Sequence, residues 1–389
     1  MAEKRLLLLK QFLIHNEKSK TIPSFWIFFI VMYNKRITYI GEGNLKALYR
    51  ILFVFALLLI VFFYTNTSVQ ENDVLKSPSK AFPEQTVSNS STDAMPRPKE
   101  GYSTLIGKDV AQLKKELGEP ERIGPSEYDF DWWIYKKQSS YILAGVENDR
   151  VVQIFLAGDD TDAKPFEIGQ TLEQLYRTTI TDTEVHVKIK NSTYTFMLSE
   201  LDLQSRLLVM YDGVYAQLYF DNIDGDLHAV RFLDGPTLVK MKPYDMSFVG
   251  DLLTPKTPSS FAQQKINTEN AEQLSELTNV FRQHKGLPTV QTMSELNHLA
   301  LERSKVYAKT TSEDEEQLSL KKRLNDAQIP FKSASENAAE DYTDAPEAIH
   351  GLMNSEKHRQ TLLNDNFSYL GTGVFGKNYT QIFIEAEKE

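Results

Sequence analysis

Apolar residues are spread along this chain in distinct regimes, and each predicts a different kind of element. The first is an unbroken run, Ile51-Leu-Phe-Val-Phe-Ala-Leu-Leu-Leu-Ile-Val-Phe-Phe-Tyr64. With Ala47 to Tyr49 it reaches about seventeen residues, the short end of what crosses a bilayer as a helix. Lys46 and Arg50 precede it and a polar, acidic stretch from Asn66 to Asp73 follows. The positive-inside rule then places the N-terminus in the cytoplasm and everything beyond Thr65 outside. A buried core helix and a cleaved signal peptide are the alternatives. No small-x-small cleavage site follows Tyr64, so the run reads as an uncleaved single-pass anchor over 47–65. Residues 1–46 form a basic cytoplasmic segment with a shorter apolar run at Ser24 to Tyr33. That run suits a surface-lying or hairpin segment; a translation start nearer Asn44 is the other possibility.

Large apolar residues then become sparse. Residues 66–100 are rich in Ser, Thr, Pro, Asn and Gln, a composition that cannot offset its ordering entropy by burial. The expectation is a flexible linker spanning about 30–35 Å between membrane and folded domains.

From 101 to 252 short amphipathic segments alternate with β patterns. Ile106-Gly-Lys-Asp-Val-Ala-Gln-Leu is echoed by Ile168-Gly-Gln-Thr-Leu-Glu-Gln-Leu, each an Ile-Gly entry into a short helix. After the first come strands near 132–136, 141–147 and 150–157, with Asn148-Asp149 as a hairpin turn; after the second come strands near 194–198, 207–211, 214–221 and 227–233. Two helix-plus-hairpin repeats forming an α+β domain are predicted. Trp132, Trp133 and Tyr135 suit either a core or an aromatic binding surface. Asp221-Asn-Ile-Asp-Gly-Asp226 has the look of a calcium loop but lacks the twelfth-position Glu, which favours a plain Asp-Gly turn.

Residues 253–268, with Pro255 and Pro258, read as a hinge. From Asn270 the spacing of Ala271, Leu274, Leu277, Thr278 and Phe281 predicts a helix ending at Gly286, and a second helix follows from Met293 to Lys309. Residues 269–389 close with a helical segment at 354–363 and paired strands at 369–375 and 379–385, an alternation that builds an α-β-α sandwich.

Composition narrows the partners. A 389-residue chain with 41% hydrophobic and 25% charged residues suits about two globular domains plus accessory segments. Of 43 basic and 53 acidic residues, residues 1–50 hold nine and three, so the remainder carries a formal balance of −16. Nucleic acid is not a partner for such a surface. Cysteine is absent, which removes disulfides, thiolate metal sites and cysteine nucleophiles.

The C-terminal motifs carry a resemblance. Leu277-Thr-Asn-Val-Phe-Arg282, Gly286-Leu-Pro288, Leu296 with Ala300, Glu336-Asn337, Ser355-Glu-Lys-His-Arg359 through Leu363, and Leu370-Gly-Thr-Gly-Val374 with Tyr379-Thr-Gln-Ile-Phe383 follow one another in order. This resembles the CAP superfamily of cysteine-rich secretory, antigen five and pathogenesis-related proteins, in its bacterial form. The order Ile106-Gly107, Leu117-Gly-Glu-Pro120, Trp132-Trp-Ile-Tyr135 and Gly145-Val-Glu147 is similar to the CAP-associated N-terminal domain. The resemblance implies a cleft at Glu336, Asn337, His358, Asn378, Tyr379 and Gln381. Many relatives aim two histidines into that cleft. Here residues 310–325 contain none and Asn378 precedes Tyr379 where the second would stand. Without those nitrogen donors no cofactor is expected, beyond weak Ca²⁺ or Mg²⁺ binding by carboxylates. The chain therefore reads as a membrane-anchored, extracytoplasmic, noncatalytic module of the cell envelope for a lipid, peptide, wall component or protein partner. The alternative is a peptidase-like hydrolase using Glu336 as base with His358 as its aid.

Overall fold

A computed structural model describes residues 48–57, 68–78, 83–85, 94–137, 140–179, 181–309 and 319–387. The chain divides into two units, Met1–Asn66 and Thr67–Glu389. In the first, residues 48–57 are helical with exposed side chains. Among the described residues no helix is long and apolar enough to cross a membrane. The expected basic segment 1–46, and residues 47 and 58–65 of the expected anchor 47–65, lie outside the described residues.

In the second unit, three short strands come first: β1 (Ser68–Glu71), β2 (Leu75–Lys76) and β3 (Glu84–Gln85). Next follow α1 (Val110–Leu117), β4 (Arg122–Pro125), β5 (Asp131–Lys137), β6 (Ser140–Glu147) and β7 (Arg150–Ala157). Then come α2 (Leu172–Tyr176), β8 (Glu184–Ile189), β9 (Ser192–Met197), α3 (Glu200–Ser205), β10 (Arg206–Tyr211), β11 (Val214–Phe220), β12 (Leu227–Leu233), α4 (Gly235–Met241) and β13 (Asp245–Val249).

The Ile-Gly echo is structural. Gly107 and Gly169 both take left-handed φ, 82° and 88°, which a Cβ would strain. Each donates its N–H at 2.7 Å to a strand of its own repeat, Gly107 to Val151 and Gly169 to Leu227. Asp109 and Thr171 then cap α1 and α2 through their side chains. The expected hairpin turn is present, with Asn148 and Asp149 both at positive φ. The strands of both repeats merge in one seven-stranded antiparallel sheet, ordered β10-β11-β12-β7-β6-β5-β4. The segment near 194–198 departs from the expected repeat, because β9 joins a separate four-stranded sheet, β3-β13-β9-β8. Trp132 and Tyr135 are core residues, while Trp133 is half-buried beneath the Lys114 ammonium, 5.5 Å from its ring centroid.

The C-terminal domain contains α5 (Ser260–His284), β14 (Gln291–Thr292), α6 (Ser294–Lys309), α7 (Leu320–Asp326), β15 (Ser333–Glu340), α8 (Ala345–Met353), α9 (Glu356–Leu362), β16 (Tyr369–Phe375) and β17 (Asn378–Glu385). Its sheet runs β1-β15-β17-β16-β14, with β2 also on β15. Helices α6 and α7 cover one face and α5, α8 and α9 the other, giving the α-β-α sandwich. Gly373 of β16 sits so close to α6 that a Cβ there would lie 2.0 Å from the Leu301 nitrogen. The glycine lets helix and strand backbones touch.

Two expectations about connectors are corrected. The stretch 66–100 contains strands β1 and β2 on the C-terminal sheet and β3 on the four-stranded sheet, and Met95 bridges to Tyr211. Strand pairing satisfies the backbone of this polar stretch without much apolar burial, which a composition argument overlooks. The supposed hinge 253–268 is helical from Ser260, where Ser259 accepts the Ala262 N–H as its cap; Phe261, Ala262 and Ile266 are too few among the polar residues of these first turns to show a periodicity.

Nor do the two domains swing about that connection, since one hydrophobic cluster runs through both. Buried polar contacts cross between them. Arg206 pairs with Glu347 at 2.7 Å, Arg231 with Asp344 at 2.8 Å, and Gln217 Nε2 donates to Glu347 at 2.6 Å. Arg122 of β4 binds Glu269 and Glu276 of α5 at 2.9 and 2.8 Å.

Candidate functional site

Strand β15 fixes the candidate residues by its two-residue period, which sends neighbouring side chains to opposite faces. Glu336 enters the α6 layer, where it is fully buried. Its Oε1 accepts from Arg303 Nε at 3.0 Å and from the Tyr307 hydroxyl at 3.2 Å, and its Oε2 accepts from Arg323 of α7. The Arg303 guanidinium also lies over the Tyr307 ring, 4.4 Å from its centroid. Burial first, then the Glu336 charge, push the Tyr307 phenol above its ordinary range, so it stays protonated and donates.

Asn337 enters the opposite layer. Its Nδ2 donates to the His358 carbonyl at 3.0 Å and is 3.4 Å from Gln381 Oε1, and Gln381 Nε2 donates to Thr278 Oγ1 at 2.6 Å. His358 is also buried there. Its Nε2 lies 2.8 Å from the Asp73 carbonyl and its Nδ1 2.8 Å from Ser355 Oγ. A carbonyl only accepts, so Nε2 carries the proton and Ser355 donates to Nδ1. Burial lowers the His358 pKa. Both ring nitrogens are engaged and the base is weakened, so the Ser355–His358 contact locks the start of α9 rather than activating a nucleophile. Asn378 lies at the β16–β17 turn, donating to the Phe375 carbonyl at 3.3 Å, and Tyr379 is a core ring.

The six residues expected in one cleft are thus divided between two layers and a turn. Asn337, Gln381 and His358 come together; Glu336 stands apart from them behind the sheet. Among the described residues, the side chains that bond to Glu336 are two guanidinium cations and a phenol, which compensate its charge. Sequence reasoning missed Arg303, Tyr307 and Arg323. One signal was present: Arg303 and Tyr307 are four apart on a helix whose inner face also holds Leu296 and Ala300.

The other acidic candidate is also compensated. Asp221, Asp224 and Asp226 converge at the β11–β12 turn. Arg359 reaches Asp221 and Asp224 at 2.7 Å each, and Lys285 lies 2.6 Å from Asp224. Burial opposes the Asp221 charge, but Arg359 and backbone N–H donors bring its pKa down to about 2. The loop is an ion-paired contact between domains.

An open groove of about 1100 Å³ lies elsewhere, between α5 and α6 with β16 as its floor. Gln263, Gln264, Asn279 and Thr372 line it, with Leu301 and Phe375 as apolar patches. Lys136 and Glu276 stand among its walls.

Comparison with known proteins agrees with this architecture. Residues 106–244 match the family described as CAP-associated N-terminal, and residues 275–383 match the cysteine-rich secretory protein family. The chain is 39% identical over 303 residues to the membrane protein YlbC of Bacillus subtilis (strain 168), covering 74% of this chain and 84% of that one. Among solved structures, an extracellular protein with an SCP domain from Bacillus anthracis str. Ames superimposes with a TM-score of 0.69 at 31% identity, over 78% of this chain and 99% of that one. A cysteine-rich secretory protein from Staphylococcus aureus subsp. aureus Mu50 superimposes with a TM-score of 0.68 at 29% identity, over 81% of this chain and all of that one. The chain belongs to the bacterial branch of the CAP, or cysteine-rich secretory protein, family and carries a CAP-associated N-terminal domain.

Proposed function

We propose that this protein is a noncatalytic binding module held at the outer face of the cell membrane by residues 47–65, with its folded domains extracellular. The observation that carries the noncatalytic reading is the state of Glu336: both carboxylate oxygens are occupied by Arg303, Arg323 and Tyr307. A base so engaged does not take a proton from water, and His358, across the sheet, cannot assist it. The apolar run 51–64 with its basic flank supports the topology, as does the naming of the Bacillus subtilis relative as a membrane protein.

The binding face in this reading is the groove between α5 and α6. Its amide and hydroxyl side chains lie among apolar surface from Ala271, Leu301, Val374 and Phe375, with Lys136, Glu272, Glu276 and Lys305 on the walls, a mixed lining that suits a polymer bearing hydroxyl and acetamido groups on apolar ring faces, the chemistry of wall glycan. The test is cosedimentation of the detergent-solubilised full chain with purified wall sacculi. Thr268 and His298 are exposed residues of the groove walls. Retention that falls at least about tenfold in Thr268→Arg and His298→Ala, at unchanged melting temperature, supports the reading. Retention that is absent in the unaltered chain, or indifferent to both substitutions, overturns it.

A further inference from the structure

The juxtamembrane stretch is seated on the sandwich as a ligand would be. Strand β1 lies parallel on the edge of β15, Glu71 opposite Glu336, and β2 continues the pairing at Ala339 and Glu340. Asn72 N–H donates to the Glu336 carbonyl at 3.1 Å and Ser77 N–H to the Glu340 carbonyl at 2.9 Å. Side chains then enter both layers. Glu71 follows Glu336: its Oε1 accepts the Leu320 N–H at 2.8 Å and its Oε2 lies 3.9 Å from the Arg303 guanidinium. Asn72 follows Asn337 and is buried, its Nδ2 donating to Asn337 Oδ1 at 2.8 Å and to Thr361 Oγ1 at 3.0 Å. His358 donates to the next carbonyl, that of Asp73.

The receiving side is organised by contacts of its own. Ser335 holds Thr361 at 2.8 Å, Asn337 holds the His358 carbonyl, and Ser355 fixes the His358 ring. Arg303 and Arg323 bring two positive charges against Glu336, so a second carboxylate from the incoming strand balances the cluster. The incoming side contributes little apolar area; Val69 and Leu75 are only half-buried. What is read is an extended backbone with an acidic residue on one face and an asparagine on the other, a form of strand addition.

We propose that the β15 edge is an acceptor site for an extended peptide carrying Glu-Asn, and that residues 68–77 are its cis occupant, exchangeable for a peptide of the same chemistry supplied in trans. The site is separate from the groove and does not depend on it.

The probe is a fluorescent synthetic peptide of residues 67–78, with a second in which the positions of Glu71 and Asn72 are alanine. Binding is read by polarisation with the full chain in detergent, unaltered and as Asn72→Ala. The variant is expected to bind the natural peptide at least about tenfold tighter than the unaltered chain does, and at least about tenfold tighter than it binds the alanine peptide. No binding by the variant, or equal affinity for both peptides, overturns the proposal. A measurement on the unaltered chain stands beside it, in case Asn72→Ala does not fold. Backbone amides of residues 69–77 are expected to exchange hydrogen at least about a hundredfold faster than those of β17, through local opening. Exchange of both at one rate marks a permanent strand and overturns exchangeability.

Discussion

Glu336 and Asn337, adjacent in sequence, serve different layers of the same sandwich: the carboxylate of one is bound by Arg303 at 3.0 Å, and the amide of the other by the His358 carbonyl at 3.0 Å. A motif that reads as one site is two, because strand geometry separates consecutive side chains. On the Glu336 side, a cation is already supplied by the protein.

Removing that carboxylate leaves Arg303 and Arg323 facing each other with less compensation. Glu336→Ala is expected to cost about 3–5 kcal/mol of stability, the range for breaking a buried pair from one side. Urea unfolding of the variant checks it. A loss below about 1 kcal/mol would mean that the cluster is not a structural ion pair.

The two domains are expected to unfold together. Glu347 accepts from Arg206, Gln217 and Tyr219 across their boundary, with Tyr219 at 3.2 Å, and one apolar cluster spans it. Calorimetry of the full chain should show a single transition for residues 67–389, shifted down in Glu347→Gln. Two resolved transitions would contradict a shared core.

Acid should weaken this boundary before it affects most carboxylates. His228 Nε2 and His350 Nδ1 are 3.1 Å apart and buried. Burial lowers both, His350 to about 3, and His350 lowers His228 further; Asp221 opposes both shifts and Glu347 that of His350. Folded imidazoles therefore stay neutral while unfolded ones take up protons below the ordinary value of about 6.5. The unfolded state binds more protons, so stability is complete above about pH 6.5 and falls as pH drops, by about 1.4 kcal/mol per unit for each histidine. Urea midpoints at a series of pH values from 7.5 to 5 check the sign. A midpoint that rises on acidification would contradict it.

Much of the architecture was legible in the sequence. The Ile-Gly echo exposed the repeat because Gly107 and Gly169 meet the same backbone demand in both copies. Leu370-Gly-Thr-Gly-Val374 announced the closing hairpin because helix α6 presses on those glycines. The partners of Glu336 were not legible: Arg303 and Arg323 come from different helices, and no spacing rule ties a guanidinium to a carboxylate 33 or 13 residues away. The seating of Asn72 was hidden for a related reason. Its stability lies in backbone pairing and one buried amide, neither of which leaves a hydrophobic pattern. The start of α5 was lost because a polar first half has no apolar stripe to count.

In the proposed noncatalytic reading, Arg303 and Arg323 hold the Glu336 carboxylate and leave no place there for a catalytic metal ion. The most direct test of that reading is equilibrium dialysis of the full chain and of Glu336→Gln against about 1 µM free zinc, with metal counted by mass spectrometry. The account predicts substoichiometric zinc that is the same in both proteins. One zinc per chain, lost in Glu336→Gln, would contradict it.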